Sequence, residues 1–228
     1  MNRRKLGLWL VLGAGFLFIF PIACSPIYWI APIDARVVDS QTGAPIKGAF
    51  VIANWQLVTG SLDGERARGQ LAVREAITDE RGEFHFGGFV RLNPSMNHLR
   101  GQDPQLIVFK PGYEFQRIWN DRGTTHPLVV GFRRSAQIDG KEIELVRLAS
   151  TGTSRDPFYW SLQTSLSYLI HDCGWKYIPK AIVAMDAEKA RIEGANPGTT
   201  ADLPSIESVE GTSAKCGSFR AQLGKDGK

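Results

Sequence analysis

Residues 34–113 constrain this chain most, because short apolar runs there are cut at close intervals by turn residues. Thr42-Gly43-Ala44-Pro45, Asp79-Glu80-Arg81-Gly82 and Lys110-Pro111-Gly112 are the clearest interruptions. Glycine supplies positive φ and proline pre-sets the turn backbone, so a helix cannot run through such points. What remains between them is too short for a helix and alternates with period two, which predicts strands. Residues 33–39, 49–58, 71–78, 83–86 and 105–110 read this way, followed by 113–119, 128–132 and 143–148. Phe84 and Phe86 then share one face, with His85 on the other. Residues 59–70 are rich in Gly, Asp, Glu and Arg and read as a solvated hairpin excursion; residues 91–103 read as a polar loop. The expected class is mainly β: an antiparallel Greek-key β-sandwich.

The pattern changes after Ser150. Phe158, Leu162, Leu166, Leu169, Ile170 and Cys173 recur near the 3.6-residue period of a helix. Asp156 is placed to cap that helix, Pro157 suits its first turn, and Gly174 is a natural stop. A second helix opens near Pro179 and runs through Glu193, with Ile182, Met185, Ala190 and Ile192 on its apolar side. Beyond Asn196 periodicity is lost. The expected organisation is a leader over 1–23, a tether over 24–32 and the β-sandwich over 33–149. A two-helix appendage over 150–195 and an irregular, partly disordered tail over 196–228 follow.

The series Val38-Asp39, Thr42-Gly43, Pro45-Ile46, Gly48-Ala49, Val51, then Thr78-Asp79, Gly82, Phe84 and Gly112-Tyr113 resembles carboxypeptidase regulatory-like domains. These belong to the transthyretin-like (prealbumin-like) β-sandwiches. The resemblance covers residues 33–148, about half of the chain. It implies a module for folding or recognition, usually without catalytic residues, and a fold alone names no ligand.

The N-terminus has the layout of a secretory signal. Arg3-Arg4-Lys5 precede the uncharged apolar residues 6–20, and Ala23-Cys24-Ser25 follow. Pro21-Ile22-Ala23-Cys24 resembles a bacterial lipoprotein cleavage box, in which Cys24 is lipidated (palmitate being part of such an anchor) and becomes the new N-terminus. Pro21 departs from the usual Leu. The alternatives are an uncleaved membrane helix over residues 6–24, long enough to span a bilayer, and simple secretion. Ser25 after the cysteine leans, by the same resemblance, towards an outer-membrane lipoprotein facing the periplasm, with inner-membrane anchoring as the alternative. The formal charge of +4 is mostly this leader, so no clustered basic stripe for nucleic acid is present.

Three cysteines in an exported chain leave one odd. With Cys24 lipidated, Cys173 and Cys216 remain as a disulfide pair in an oxidising compartment; two separate thiols are the other reading. Closing that loop would stabilise the fold by about 3–4 kcal/mol.

Catalytic chemistry is hard to find. His85, His98, His126 and His171 have no zinc-ligand spacing, and Gly60-Ser61 and Gly217-Ser218 do not form a nucleophile elbow. His171 and Cys173, two apart on a helix, point away from each other. Glu142 and Glu144 share the outer face of a strand. The chain ends Gly224-Lys225-Asp226-Gly227-Lys228, unlike the Tyr-Arg-Gly-Ser terminus of hydroxyisourate hydrolases. Phe158-Tyr159-Trp160, Trp175 and Tyr177 read as packing residues first and as a binding platform second.

The expectation is therefore a non-catalytic envelope lipoprotein, with no catalytic or metal residues and no cofactor. It would be held to the membrane by an N-terminal lipid or helix anchor and would serve an envelope protein or glycan partner. The rival is a small periplasmic hydrolase whose site is assembled from scattered residues.

Overall fold

The computed structural model describes residues 27–61, 64–95, 97–128, 131–148, 157–195 and 201–226. The chain is mainly β; the described residues hold twelve strands, and the helices among them lie in the C-terminal third. The strands are β1 (Ile27–Ile30), β2 (Ile33–Asp39), β3 (Phe50–Ser61), β4 (Gly64–Ile77), β5 (Glu83–Phe86) and β6 (Phe89–Leu92). They continue with β7 (His98–Leu99), β8 (Gln105–Phe109), β9 (Gln116–Ile118), β10 (Thr125–Pro127), β11 (Phe132–Arg134) and β12 (Glu142–Leu145). Helices α1 (Pro157–His171), α2 (Pro179–Ala195), α3 (Ile206–Glu210), α4 (Ser213–Cys216) and α5 (Phe219–Asp226) follow, with a 3-10 turn at Gly174–Tyr177.

The central sheet runs β4-β3-β8-β9, and β7 also pairs with β3. Every residue of β8, from Gln105 to Phe109, is buried. A strand covered on both faces reads as a continuous apolar run, and Leu106-Ile107-Val108-Phe109 is such a run. One face of the sheet (Val51, Ala53, Trp55, Leu106, Val108) packs with Ile33, Val37, Phe84, Phe86 and Leu145 of the sheet β12-β2-β5. The same core takes in Tyr28, Ile30 and Phe89 from the sheet β10-β11-β1-β6. The opposite face (Ile52, Val73, Ile107, Phe109) packs beneath the helices, on Leu162, Leu166, Leu169, Trp175, Met185 and Phe219. The molecule is thus layered as sheets, central sheet and helical cap. Not all pairing is antiparallel: β1 runs parallel to β11, and β12 parallel to β2.

The turn motif holds this framework together. Asp39 Oδ1 accepts from the backbone of Gln41 and Thr42 and from the Thr42 hydroxyl at 3.0–3.1 Å. Thr78 Oγ1 donates to the Ile46 carbonyl at 2.6 Å and accepts from Ala49 N at 2.8 Å, stitching the 46–49 corner to β4. Asp79 Oδ1 accepts from the backbone of Arg81 and Glu83. Gly82 has φ of +73°, and a Cβ there would collide with the Val37 carbonyl oxygen; only glycine fits.

Several expectations need correction. The expected tether over 24–32 contributes β1, paired with both β6 and β11, with Tyr28 and Ile30 buried. Its four residues, Ile27-Tyr28-Trp29-Ile30, are all apolar and alternate only in burial, so no period-two pattern marks them in the sequence. The solvated hairpin expected over 59–70 is there, but as regular strand: residues 59–61 and 64–70 prolong β3 and β4 into a long ribbon, with register shifts between Trp55 and Val58. The expected loop 91–103 carries the end of β6 and all of β7. Residues 201–226 are not irregular: Leu203, Val209, Cys216 and Phe219 are buried in the cap core. Three helices of eight residues or fewer are too short to show a period, so the appendage has more than two helices. In α2, Ile182 and Met185 are buried as expected, whereas Ala190 is exposed.

Candidate functional site

A cleft of about 430 Å³ opens between the sheets and the cap. It is lined by Gln70, Leu71, Ala72, Val73 and Arg74 of β4, Arg91 of β6, and Asp172 and Tyr177 of the cap. β4 brings its residues there because it is the end strand of the central sheet. The cap residues arrive because the chain turns at the end of α1, where Cys173 adopts a left-handed φ of 62°. Gly174 then lies tight against Leu169 and Gln70, with no room for a Cβ.

The electrostatics of the cleft are lopsided. Arg74 Nη1 donates to the Gly87 carbonyl at 2.6 Å, and its guanidinium lies 4.2 Å from the centre of the Phe89 ring. Burial, and secondarily the charge of Arg91, lower the Arg74 pKa. Among the described residues neither arginine has a carboxylate within ion-pair distance. Asp172 stands at the other end, 3.8 Å from Lys215 Nζ. The Gln70 Nε2 donor is buried without an acceptor, and Tyr177 is 61% exposed. The cleft can therefore neutralise an anionic group and offer an unsatisfied amide donor to it.

The sequence-derived candidates distribute differently. Cys24 lies outside the described residues. Cys173 and Cys216 are brought to disulfide distance, with Cα atoms 5.4 Å apart, joining the end of α1 to α4. His85 pairs with Asp34 at 2.6 Å on the surface, and His98 lies 3.4 Å from Glu65. His126 is exposed in β10, and the His171 carbonyl accepts from Lys215 Nζ at 3.0 Å. Among the described residues no group of three or more His, Cys, Asp or Glu is placed to hold a metal ion. Glu142 pairs with Arg36 at 3.0 Å on the outer face that it shares with Glu144. Of the aromatic cluster, Trp175 is buried edge-to-face on Phe219 and bonded through Nε1 to Thr212, whereas Tyr177 faces solvent. The side chains of Phe158, Tyr159 and Trp160 lie outside the described residues. Arg74, Arg91, Gln70 and Asp172 were not singled out from sequence, since nothing local links a strand residue to one 100 positions away.

No family model and no curated protein matches this chain. Among solved structures it is similar to 3-chlorocatechol 1,2-dioxygenase from Rhodococcus opacus 1CP, at 15% identity over 55% of this chain and 62% of that one, with a TM-score of 0.29. It is also similar to hydroxyquinol 1,2-dioxygenase from Pseudomonas putida DLL-E4, at 16% identity over 56% and 59% of the two chains, with a TM-score of 0.28. A third is the dioxygenase domain of a dioxygenase carbohydrate-binding protein fusion from Streptomyces sp. SirexAA-E, at 12% identity over 54% and 82%, with a TM-score of 0.27. The chain spans about three fifths of the length of the first two. The expectation that the chain is not an enzyme is corrected at this point, because all three of these structures are enzymes. That expectation is withdrawn. At these TM-scores the likeness carries no argument about fold or chemistry to put in its place.

Proposed function

We propose that this chain is an envelope lipoprotein whose body, a transthyretin-like Greek-key sandwich of the carboxypeptidase regulatory-like kind, serves as a binding or structural module. Lipid on Cys24 would hold it to the outer membrane, facing the periplasm, and the cleft between β4 and the cap would meet an envelope partner. The observation that carries the reading is how the motif residues are used. Asp39, Thr42, Thr78, Asp79 and Gly82 each secure a turn or a strand junction, and the Tyr113 hydroxyl donates to Asp39 Oδ2 at 3.0 Å. The conspicuous part of the sequence is spent on scaffold, which leaves recognition to the helix-capped side.

Mass spectrometry of the membrane fraction tests the tether. The expected N-terminus is a diacylglyceryl Cys24; an intact Met1 or an unmodified mature terminus would sink the proposal. For the module, a photo-crosslinking residue at Tyr177 in intact cells should capture an envelope component. Loss of that capture when Arg91 is reversed to Glu would locate the contact in the cleft.

A further inference from the structure

Residues 70–74 of β4 all line the one cleft, although successive side chains of a strand point to opposite faces. Leu71, which the ladder with β3 skips, breaks that alternation at one point; a cleft that touches the regular residues on both sides of the pleat opens along the strand's edge. β4 is the end strand of its sheet, so the backbone groups that do not pair with β3 face the cleft. Among the described residues, no backbone hydrogen bond reaches residues 70–74 from outside the β3 ladder. An unpaired edge of this kind is a template for another strand.

Long edges are normally blunted, and the distal part of this hairpin is: its register shifts at Trp55–Val58, and Gly69 takes a φ of +118°. The first of these shifts skips Leu71, and the regular ladder begins at Ala72, with Ala72, Val73 and Arg74 opposite Trp55, Asn54 and Ala53. Arg74 and Arg91 stand beside that window without carboxylate partners among the described residues, and the Gln70 amide has an unused donor.

The geometry points to strand addition: an extended peptide carrying an acidic side chain pairs with residues 72–74 of β4 and sets its carboxylate between Arg74 and Arg91. Main-chain pairing supplies the affinity and the arginines supply the choice of partner. A glycan could use the arginines but has no repeating N–H and C=O pattern to match the edge. This inference rests on the binding-module reading and names the partner for it, a protein segment with alternating acidic residues.

The test uses the full chain in detergent and an acetylated, amidated hexapeptide, Val-Glu-Val-Glu-Val-Thr. Controls are the same peptide with Lys for Glu, a backbone N-methylated version, and oligogalacturonate as an acidic sugar. Strand addition predicts slowed hydrogen exchange within residues 72–74 with the Glu peptide alone. Arg91 is exposed and reaches β1 through its backbone, so Arg91→Glu keeps the fold; it should weaken the Glu peptide about tenfold and favour the Lys peptide. Absence of binding, binding without protection within 72–74, equal binding of the N-methylated peptide, or protection by oligogalacturonate instead would each overturn the proposal. An unlipidated Cys24 together with strand addition would break the tether and leave the cleft standing; the converse would do the opposite.

Discussion

Two aspartates, both buried and both near arginine, show how differently one residue type can be housed. Asp39 is 1% exposed, yet it lies under a thin polar cover in which the Arg147 side chain is 58% exposed. Every lone pair has a use: Oδ1 serves the 41–42 turn, and Oδ2 takes the Tyr113 hydroxyl and Arg147 Nε at 2.5 Å. The Arg147 bond, with help from Thr42 and Tyr113, outweighs burial and holds the carboxyl well below the usual range. Asp103 is fully buried in the corner between β7, β8 and β11. Its Oδ2 accepts from Gln56 N at 2.5 Å, while Oδ1 has no partner. Arg134 is buried beside it but donates to carbonyls, including Asp103's own at 2.6 Å, and not to the carboxylate. Burial then dominates, and the Asp103 pKa is pushed up to about 7. The difference teaches that proximity to a guanidinium is not enough; what counts is whether the donors reach the carboxylate oxygens.

The comparison can be broken at several points. Asp39→Ala should give the largest loss, since it strands the Arg147 and Tyr113 donors and two turn amides together; its thermal midpoint at pH 7 should fall below that of every other variant named here. Removing Asp39 should also remove part of the acid limb. A depressed carboxyl contributes stability above its unfolded pKa and loses it as pH falls through the folded value. Asp103 has the opposite sign. Its raised pKa favours the fold below about pH 4, and this contribution declines until about pH 7, by roughly 2–4 kcal/mol. Urea titrations across that window should slope downwards, and Asp103→Asn should flatten them; an unchanged slope would discard the orphaned oxygen as its source. Tyr113→Phe removes one neutral donor from Asp39 and should cost about 1 kcal/mol in the same assay. Glu142→Gln, which breaks an exposed pair with Arg36, should change stability by less than about 0.5 kcal/mol and sets the baseline.

The Asp39 corner was legible and the Asp103 corner was not. Asp39, Thr42 and Gly43 are neighbours in sequence, so turn chemistry announces them; Tyr113 belonged to the same recognisable pattern. Arg147, 108 positions from Asp39, carried no signal. Asp103 ends a stretch that reads as polar loop, where an aspartate ordinarily faces water; strands that pair at long range bury it. The cleft failed to show for the same reason. Arg74 and Arg91 sit on strands of different sheets, and Tyr177 was read with Trp175 as packing, although the chain buries one and exposes the other.

By itself the sequence determined the turns, the periods and therefore the mainly β class, together with the first two helices, because these depend on residues a few positions apart. It also picked out Cys173 and Cys216 as the pair left over by counting. Only the tertiary structure decided that residues 27–30 form a strand within a sheet and that residues 201–226 pack into the cap. It decided too that β4 ends its sheet with an open edge beside two arginines. Those outcomes are set by which distant surfaces exclude water from one another, and no local pattern records that.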